Sequence, residues 1–237
     1  MIDHRYKGFV CKKVNYNDND AIISVLTSSK KEVFKARGIL KVTSKNASSC
    51  NYFMISEFLT SSKTELSNQS LKSSSSIKIF KKPYEDLLVS GCYLFICSLL
   101  DQVSEHINGY DLAIKCFEYF EEDKHPINVL NYFLKYLCNG LGYQSNLKGC
   151  ANCNNKNNLV SFEIESGGFI CNNCFDATRY EKMTPNFLKE VYTFLSKEDY
   201  YELNDTHNIK LLGVYSKFLK DVVGLNISSY EFILKCL

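Results

Sequence analysis

The sequence predicts an α+β protein in which a small N-terminal β-barrel is followed by an α-helical domain that carries an inserted four-cysteine segment. Three observations support this class. Up to about residue 80, short runs rich in β-branched and aromatic residues alternate with polar turns. From residue 83 onward, apolar residues recur at three- and four-residue intervals, as they do on the buried faces of helices. Between two such helical stretches, residues 147–176 contain two Cys-x-x-Cys pairs.

Five short strands are expected in residues 1–82. Polar turns at 17–20 and 28–31 separate the first three of them. The expected strands are residues 6–15, 21–27, 32–38, 51–59 and 77–80. Four or five short strands in a segment of this length suit a Greek-key barrel of the OB type. The stretch 61–76 is rich in serine and poor in apolar residues, so we expect a mobile loop there, within the barrel domain.

Helices are expected through most of residues 83–237. They are residues 87–103, 111–120, 127–141, 184–195, 209–223 and 229–237. Pro126 suits the first turn of the third helix, and Gly140 and Gly142 suit its end. The cysteine segment therefore lies between helices of what we expect to be one bundle. The uncharged run 87–100 has 14 residues, which is too short to cross a bilayer and predicts a buried helix instead.

The two cysteine pairs are Cys150 with Cys153 and Cys171 with Cys174, and 17 residues lie between them. Two thiolates separated by two residues can point at one ion from a single turn, so two such turns fill the four positions of a tetrahedral zinc. No position then remains open for water or substrate. We therefore expect one structural zinc per chain and no catalytic metal. The alternative is a set of ordinary buried or redox-active cysteines.

A short β-hairpin is expected between the cysteine pairs. Residues 160–164 alternate between apolar and polar, and Gly167-Gly168 supplies a turn before the chain returns. Because residues 147–176 are polar and have little core of their own, we expect the metal to stabilise this segment.

The composition indicates a soluble globular protein from a reducing compartment. Apolar residues make up 45% of the chain and charged residues 23%. The N-terminus has no apolar core that could serve as a signal peptide. Outside the four zinc candidates, several cysteines lie in apolar helical patterns, where a free cysteine behaves as a small hydrophobic residue. These are Cys92, Cys97, Cys116 and Cys138. We therefore expect a cytoplasmic protein without a membrane segment.

Positive charge is concentrated in the barrel segment. Residues 1–82 contain 15 Lys or Arg against 6 Asp or Glu, whereas residues 83–237 contain 13 against 20. This division favours a polyanion-binding surface, with chance clustering as the alternative. Residues 35–45 alone hold four cations, and strand alternation would place Lys35 and Arg37 on one face. The chain has only three arginines, so binding should depend mostly on lysine, tolerate many sequences and weaken strongly with salt.

Five aromatic residues in the barrel segment could stack on nucleic-acid bases, although most aromatic residues at strand spacing belong to a core. They are Phe9, Tyr16, Phe34, Tyr52 and Phe53.

The sequence contains no recognisable catalytic motif. It has no phosphate-binding P-loop, no dinucleotide fingerprint and no serine or cysteine nucleophile motif. Its four histidines lie in unrelated contexts. We expect neither an enzymatic activity nor a small-molecule substrate.

The residue pattern resembles the RecO family of bacterial DNA repair proteins over nearly the whole chain. The N-terminal similarity comprises Gly8-Phe9-Val10, the turn Asn15-Tyr16-Asn17-Asp18-Asn19-Asp20, Val25-Leu26-Thr27, Lys35-Ala36-Arg37-Gly38 and Ser44-Lys45. The stronger similarity in the middle comprises Leu141-Gly142-Tyr143, Leu147, the four cysteines, Phe162 and Gly167-Gly168. The chain departs from the family pattern at Asp18, Ala36-Arg37, Ser145 and Asn154, where glutamate, lysine, proline and glycine are common.

The resemblance implies an OB domain, a helical domain and a zinc-bearing segment. It also implies a non-catalytic recombination mediator that binds single- and double-stranded DNA and anneals complementary strands in association with the nucleoid. Such a mediator engages RecR and single-stranded DNA-binding protein and helps to load RecA at gaps. In this chain the implied phosphate contacts are Lys12, Lys13, Lys35, Arg37, Lys41 and Lys45. Two alternatives stay open: a zinc-stabilised protein-interaction adaptor without a direct DNA role, and a hydrolase that uses the zinc.

Overall fold

The N-terminal part of the chain forms a closed five-stranded barrel. The computed structural model describes residues 1–64 and 67–237. The strands are β1 (Ile2–Asn15), β2 (Ala21–Thr27), β3 (Lys31–Ala36), β4 (Met54–Ser62) and β5 (Gln69–Ile79). Their order around the barrel is β1-β2-β3-β5-β4, and β4 pairs back onto β1. Among the described strand pairings of the barrel, only β3–β5 is parallel. This is the OB-like barrel that the strand pattern predicts.

The barrel core consists of side chains that point inward on alternate strand positions. Phe34 and Phe58 lie at its centre with their ring centroids 5.5 Å apart, and the half-buried Tyr6 ring contacts both. Each fully buried phenylalanine contributes about 1.5–3 kcal/mol through burial. Gly8 has no room for a side chain, because a Cβ there would lie 2.3 Å from the Leu26 carbonyl oxygen. Sequence spacing and close strand packing therefore specify this core together.

The mobile loop expected at residues 61–76 is a wrong prediction for most of that stretch. Residues from Gln69 onward form β5, which pairs with β4 from Ser61↔Ser70 to Met54↔Ile79. Residues 65–66 of the predicted loop lie outside the described residues. Serine has a low strand propensity, but barrel closure supplies the β4 hydrogen-bond partners that propensity does not consider. Most of the serine side chains of β5 are exposed. Because serine is polar, this stretch of sequence lacks the alternation of apolar residues that would have predicted a strand.

Seven helices and a two-stranded hairpin follow in the described part of the chain. They are α1 (Lys82–Glu85), α2 (Leu87–Val103), α3 (Tyr110–Glu121), α4 (Pro126–Gly140), β6 (Leu159–Glu163), β7 (Gly168–Cys171), α5 (Pro185–Ser196), α6 (Asp205–Asp221) and α7 (Ser228–Cys236). The helical spacing predicted all of these helices except the single-turn α1. Asp86 caps α2 by accepting hydrogen bonds from the Leu88 and Val89 N–H groups. No helix in the described ranges is both long enough and apolar enough to cross a membrane.

The helices do not form the single bundle that the sequence suggested. One compact unit comprises residues 1–122 and 228–237, and the other comprises residues 123–227. The sequence-based boundary at residue 82 follows the change from strands to helices, whereas the compact unit that contains the barrel also contains α1, α2, α3 and α7. The reason is the apolar character of α2 on nearly all sides, because a helix of this kind needs partners on more than one face.

In the first unit, α2 packs on β1 of the barrel and on α7, and α3 also contacts the barrel. The Phe9 ring of β1 meets Phe117 of α3 edge to face at 5.2 Å. On the α7 side of α2, a Cβ at Gly91 would lie 2.9 Å from the Phe232 ring, so the glycine allows α7 to approach closely.

In the second unit, α4 packs on α6, and the buried Asn131 amide donates to the Asn208 backbone carbonyl at 2.9 Å.

Candidate metal centre and candidate nucleic-acid surface

The four predicted cysteines come together at one point of the second unit. Their sulfur atoms all lie within 4.8 Å of one another, and the sulfurs of Cys153 and Cys171 are 3.6 Å apart. A tetrahedral zinc with Zn–S bonds near 2.3 Å separates its sulfur ligands by roughly 3.8 Å. Cys150 and Cys171 are buried, whereas Cys153 is exposed. The cluster therefore has the dimensions of a four-sulfur metal site at the protein surface.

Residues 149–155 form the turn that positions the first cysteine pair. The Cys150 N–H donates to the Asn155 carbonyl, and the Asn154 N–H donates to the Cys150 carbonyl, both at 2.8 Å. Asn154 has a φ of 59°, in the left-handed region that favours glycine and that asparagine tolerates better than most residues. The departure from the family pattern at this position is therefore compatible with the turn.

The second pair is positioned by the hairpin. Gly167 and Gly168 have φ values of 85° and 130°, and they turn the chain into β7, which ends at Cys171. The Ala151 N–H donates to the Phe169 carbonyl at 2.7 Å, which ties the first turn to β7. The Phe162 and Phe169 rings are buried and 5.1 Å apart, and Tyr192 of α5 contacts Phe169. The hairpin thus has more apolar core than its polar composition indicated.

The electrostatics of the cysteines suit a cation. Burial would raise the pKa of Cys150, but hydrogen bonds from the backbone N–H groups of Cys171, Asn152 and Cys153 lower that pKa to about 6. Hydrogen bonding with Cys153, together with burial, raises the pKa of Cys174 to about 12. The Cys150 thiol therefore loses its proton more readily than the Cys174 thiol. A central cation would stabilise the thiolate form of all four cysteines at once. Four thiolates leave no open coordination position.

Two of the predicted phosphate-binding cations lie on β1. The Lys12 ammonium is 2.9 Å from the Asp101 carboxylate of α2, and the hydrogen bond and charge of Asp101 raise the pKa of Lys12. Asp101 also pairs with Lys31 at 3.3 Å. The Lys13 ammonium donates a hydrogen bond to the Asn51 side-chain amide oxygen at 3.1 Å. Lys12 therefore already has a counter-charge, whereas Lys13 is held by a neutral group.

Lys35 is also paired. Its ammonium is 3.1 Å from the Asp20 carboxylate and 4.0 Å from the centroid of the Tyr16 ring. The Gly38 backbone N–H donates to Asp20 at 2.8 Å, and this bond, followed by the one from Lys35, lowers the pKa of Asp20. Asp20 therefore stays ionised and neutralises part of the charge of Lys35.

The other three predicted cations form what we call the basic loop, defined as Arg37, Lys41 and Lys45. All three side chains are exposed, and no ion pair involving them occurs among the residues described. Arg37 and Lys41 line a surface depression of about 600 Å³ together with the turn 17–20. The expected shared strand face of Lys35 and Arg37 is wrong, because β3 ends at Ala36 and Arg37 begins a turn.

Sequence reasoning missed Asp20 and Asp101, the acidic residues that pair with Lys35 and Lys12. Asp20 belongs to the turn 17–20, and its proximity to Lys35 follows from the β2–β3 register, in which Ala21 lies opposite Ala36. A correct strand pairing could have revealed this pair. Asp101 is 89 residues from Lys12, and only helix packing brings them together.

The candidate stacking residues differ in exposure. Phe9 and Phe34 are 0% and 2% exposed, so both belong to the core. Tyr52 and Phe53 are half-buried, and Phe53 packs edge to face on the buried Tyr93. Tyr16 is 62% exposed at the turn that follows β1. Of the five, Tyr16 presents the most accessible ring.

Comparison with known proteins gives consistent matches along the chain. The family model described as "Recombination protein O N terminal" matches residues 1–80, and "Recombination protein O C terminal" matches residues 84–231. Three relatives are each described as "DNA repair protein RecO". The one from Bacillus pumilus is 22% identical over 96% of this chain and 92% of its own length. That from Listeria innocua is 24% identical over 91% and 93%. A third, from Mesoplasma florum, is 27% identical over 76% and 70%.

Proposed function

The chain belongs to the RecO family of DNA repair proteins, and from this premise we propose that it is a non-catalytic recombination mediator that binds DNA and anneals complementary strands. On this proposal it binds both single- and double-stranded DNA and acts in the cytoplasm at the nucleoid. Its protein partners are RecR and single-stranded DNA-binding protein, and it assists the loading of RecA at gaps. These partners are inferred from the family alone.

The observation that carries the DNA-binding proposal is the basic loop. Its three cations are exposed, and two of them, Arg37 and Lys41, lie beside the turn between β1 and β2. In OB-folds the loop between the first two strands contributes to oligonucleotide binding, and in this chain that loop is the turn 17–20. We assign the main phosphate contacts to Arg37, Lys41 and Lys45. Lys12, Lys13 and Lys35 take a secondary role, because Asp101 and Asp20 already offset the charge of two of them.

Charge neutralisation accounts for annealing without any chemical step. Two phosphate chains repel each other at the separation needed for base pairing, and bound cations reduce that repulsion. The basic loop would neutralise one strand while its bases remain free to pair. Because lysine dominates, the contacts should depend little on base sequence and strongly on salt concentration.

We propose that the four cysteines bind one structural Zn²⁺ per chain. The supporting observations are sulfur positions within 4.8 Å of one another, two Cys-x-x-Cys turns and four soft ligands without a water position. Zinc in such a site stabilises the fold around it and takes no part in a reaction. A hydrolase that uses this metal is therefore disfavoured.

The decisive experiment is an annealing assay with complementary strands coated by single-stranded DNA-binding protein. A mediator accelerates annealing of the coated strands, whereas a simple DNA binder accelerates only bare strands. The second candidate, a zinc-stabilised adaptor without a direct DNA role, gains some support from the pairing of Lys12 and Lys35 with carboxylates. It predicts partner binding together with negligible oligonucleotide binding at moderate salt. That result would reject the mediator proposal.

A further inference from the structure

We infer that Tyr16 is a base-stacking residue. It makes the surface formed by the turn 17–20 and the basic loop bind single-stranded DNA in preference to duplex DNA. The inference rests on the proposed DNA binding and adds to it a specificity-determining residue. The Tyr16 side chain is highly exposed, yet it contacts neighbours that restrain it.

The position of Tyr16 is fixed by its backbone. It directly follows β1, and its N–H donates to the Asp20 carbonyl at 2.9 Å, which closes the turn 17–20. The residue is 62% exposed, so burial in a core does not account for the orientation of its side chain.

Lys35 accounts for the orientation instead. Its ammonium lies over the Tyr16 ring, 4.0 Å from the centroid, and the Asp20 carboxylate holds that ammonium at 3.1 Å. Asp20 is in turn held by the Gly38 N–H at 2.8 Å. A cation over one face attracts the ring electrostatically and restricts its rotation. The side chain thus presents an ordered aromatic surface to solvent, so little conformational entropy would be lost when a base stacks on it.

Phosphate contacts are available close to this ring. The residues next to Tyr16, in the turn 17–20, line the same depression as Arg37 and Lys41. Single-strand-binding surfaces combine a cationic track for the backbone with aromatic rings for the bases. Both components occur here at the same end of the barrel.

Duplex DNA cannot use the ring in the same way. Its bases are stacked on one another, and their faces are not free, whereas a single strand can place one base on Tyr16. The cations contact phosphates in either form. Removal of the ring should therefore weaken single-strand binding by about tenfold and leave duplex binding nearly unchanged.

The test compares three ligands, namely oligo-dT, an abasic strand of the same length and a duplex, for the intact chain and its variants. Tyr16→Ala should bind oligo-dT about tenfold more weakly and should bind the abasic strand and the duplex as the unmodified protein does. Tyr16→Phe retains the ring and should bind all three ligands normally. Tyr16→Leu retains apolar bulk without the ring and should behave like Tyr16→Ala, which separates stacking from turn stability.

Fluorescence gives an independent readout, because the chain contains no tryptophan. Tyr16→Trp introduces a single indole, and stacking of a base should quench it on addition of oligo-dT but not of the abasic strand. Unchanged oligo-dT affinity in Tyr16→Ala together with an unquenched Tyr16→Trp would overturn the inference, even while salt-dependent binding by the unmodified protein upheld the proposed function. Failure of the unmodified protein to bind any of the three ligands would reject the proposed function and this inference together.

Discussion

The Asp20 carboxylate accepts a hydrogen bond from the Gly38 backbone N–H at 2.8 Å, which joins the turn after β1 to the turn after β3. The same carboxylate pairs with Lys35, so one side chain both fastens two turns and neutralises a cation. The Leu40 N–H adds a bond to the Asn19 carbonyl at 3.0 Å. The basic loop is consequently anchored on the neighbouring turn at its beginning.

The first prediction concerns the charge of Asp20. Asp20→Asn keeps an oxygen that can accept from Gly38 but removes the charge, whereas Asp20→Ala removes both. Because hydrogen bonding from Gly38, followed by that from Lys35, lowers the folded-state pKa of Asp20, its charge contributes stability above its ordinary pKa of 3.8. That contribution is lost as the pH falls through the lower folded-state value. Thermal unfolding of both variants and the unmodified protein between acid and neutral pH measures it.

We expect the difference in Tm between Asp20→Asn and the unmodified protein to be present at neutral pH and to vanish in acid. Asp20→Ala should remain less stable even in acid, because its Gly38 hydrogen bond is gone. A Tm difference for Asp20→Asn that grows as the pH falls would contradict the assignment.

The second prediction concerns the basic loop. Replacement of Arg37, Lys41 and Lys45 by alanine together should lower single-strand affinity at low salt and reduce the slope of log K against log salt by about 2, since each phosphate contact contributes roughly 0.7. Titrations of oligo-dT at several salt concentrations measure the slope.

The matched control replaces Lys72 and Lys78 by alanine, because both are exposed barrel lysines that pair with Asp3 and Glu118. The control should change the slope much less than the triple variant. Equal effects would mean that general positive charge, and not the basic loop, determines binding.

The third prediction concerns the metal. We expect one zinc ion per chain, and Cys171→Ser should abolish its retention and expose residues 147–176 to amide hydrogen exchange. Native mass spectrometry gives the metal content, and exchange measured by mass spectrometry locates the change. The barrel should stay protected, because its core is separate from the cysteine cluster.

Cys236→Ser is the control, because Cys236 is a free cysteine outside the cluster. It should retain the metal and normal protection. A metal-free preparation of the unmodified protein with full thermal stability would remove zinc from the account of folding.

The fourth prediction tests the left-handed conformation of Asn154, whose φ is 59°. Asn154→Gly should be neutral or slightly stabilising, since glycine adopts this region freely. Asn154→Val should cost about 1–2 kcal/mol, since a β-branched residue is strained there. Chemical unfolding and zinc retention under a chelator measure the two effects. Equal stability of the glycine and valine variants would mean that the turn changes its conformation to accept valine.

The sequence by itself determined the features that depend on local spacing. The helical periodicity predicted α2 to α7 within a few residues, because one apolar face repeats every three or four positions. The four cysteines were identified as one cluster, because two residues between thiols allow both to face one ion from a single turn. The first two strands and the hairpin were predicted for the same reason, since alternation and turn residues act over short distances.

Only the tertiary structure decided the features that depend on partners distant in sequence. The serine-rich β5 is a strand because β4 pairs with it, and its own residues carry little strand signal. Lys12 is paired because α2 places Asp101 beside it, and Lys35 lies over the Tyr16 ring because the β1–β2 and β2–β3 registers bring the end of β3 close to the turn after β1. Charge counting treats all cations in the barrel alike. Packing gives Lys12 and Lys35 carboxylate partners and leaves the basic loop exposed, because an ion pair depends on distance in space and not on spacing along the chain.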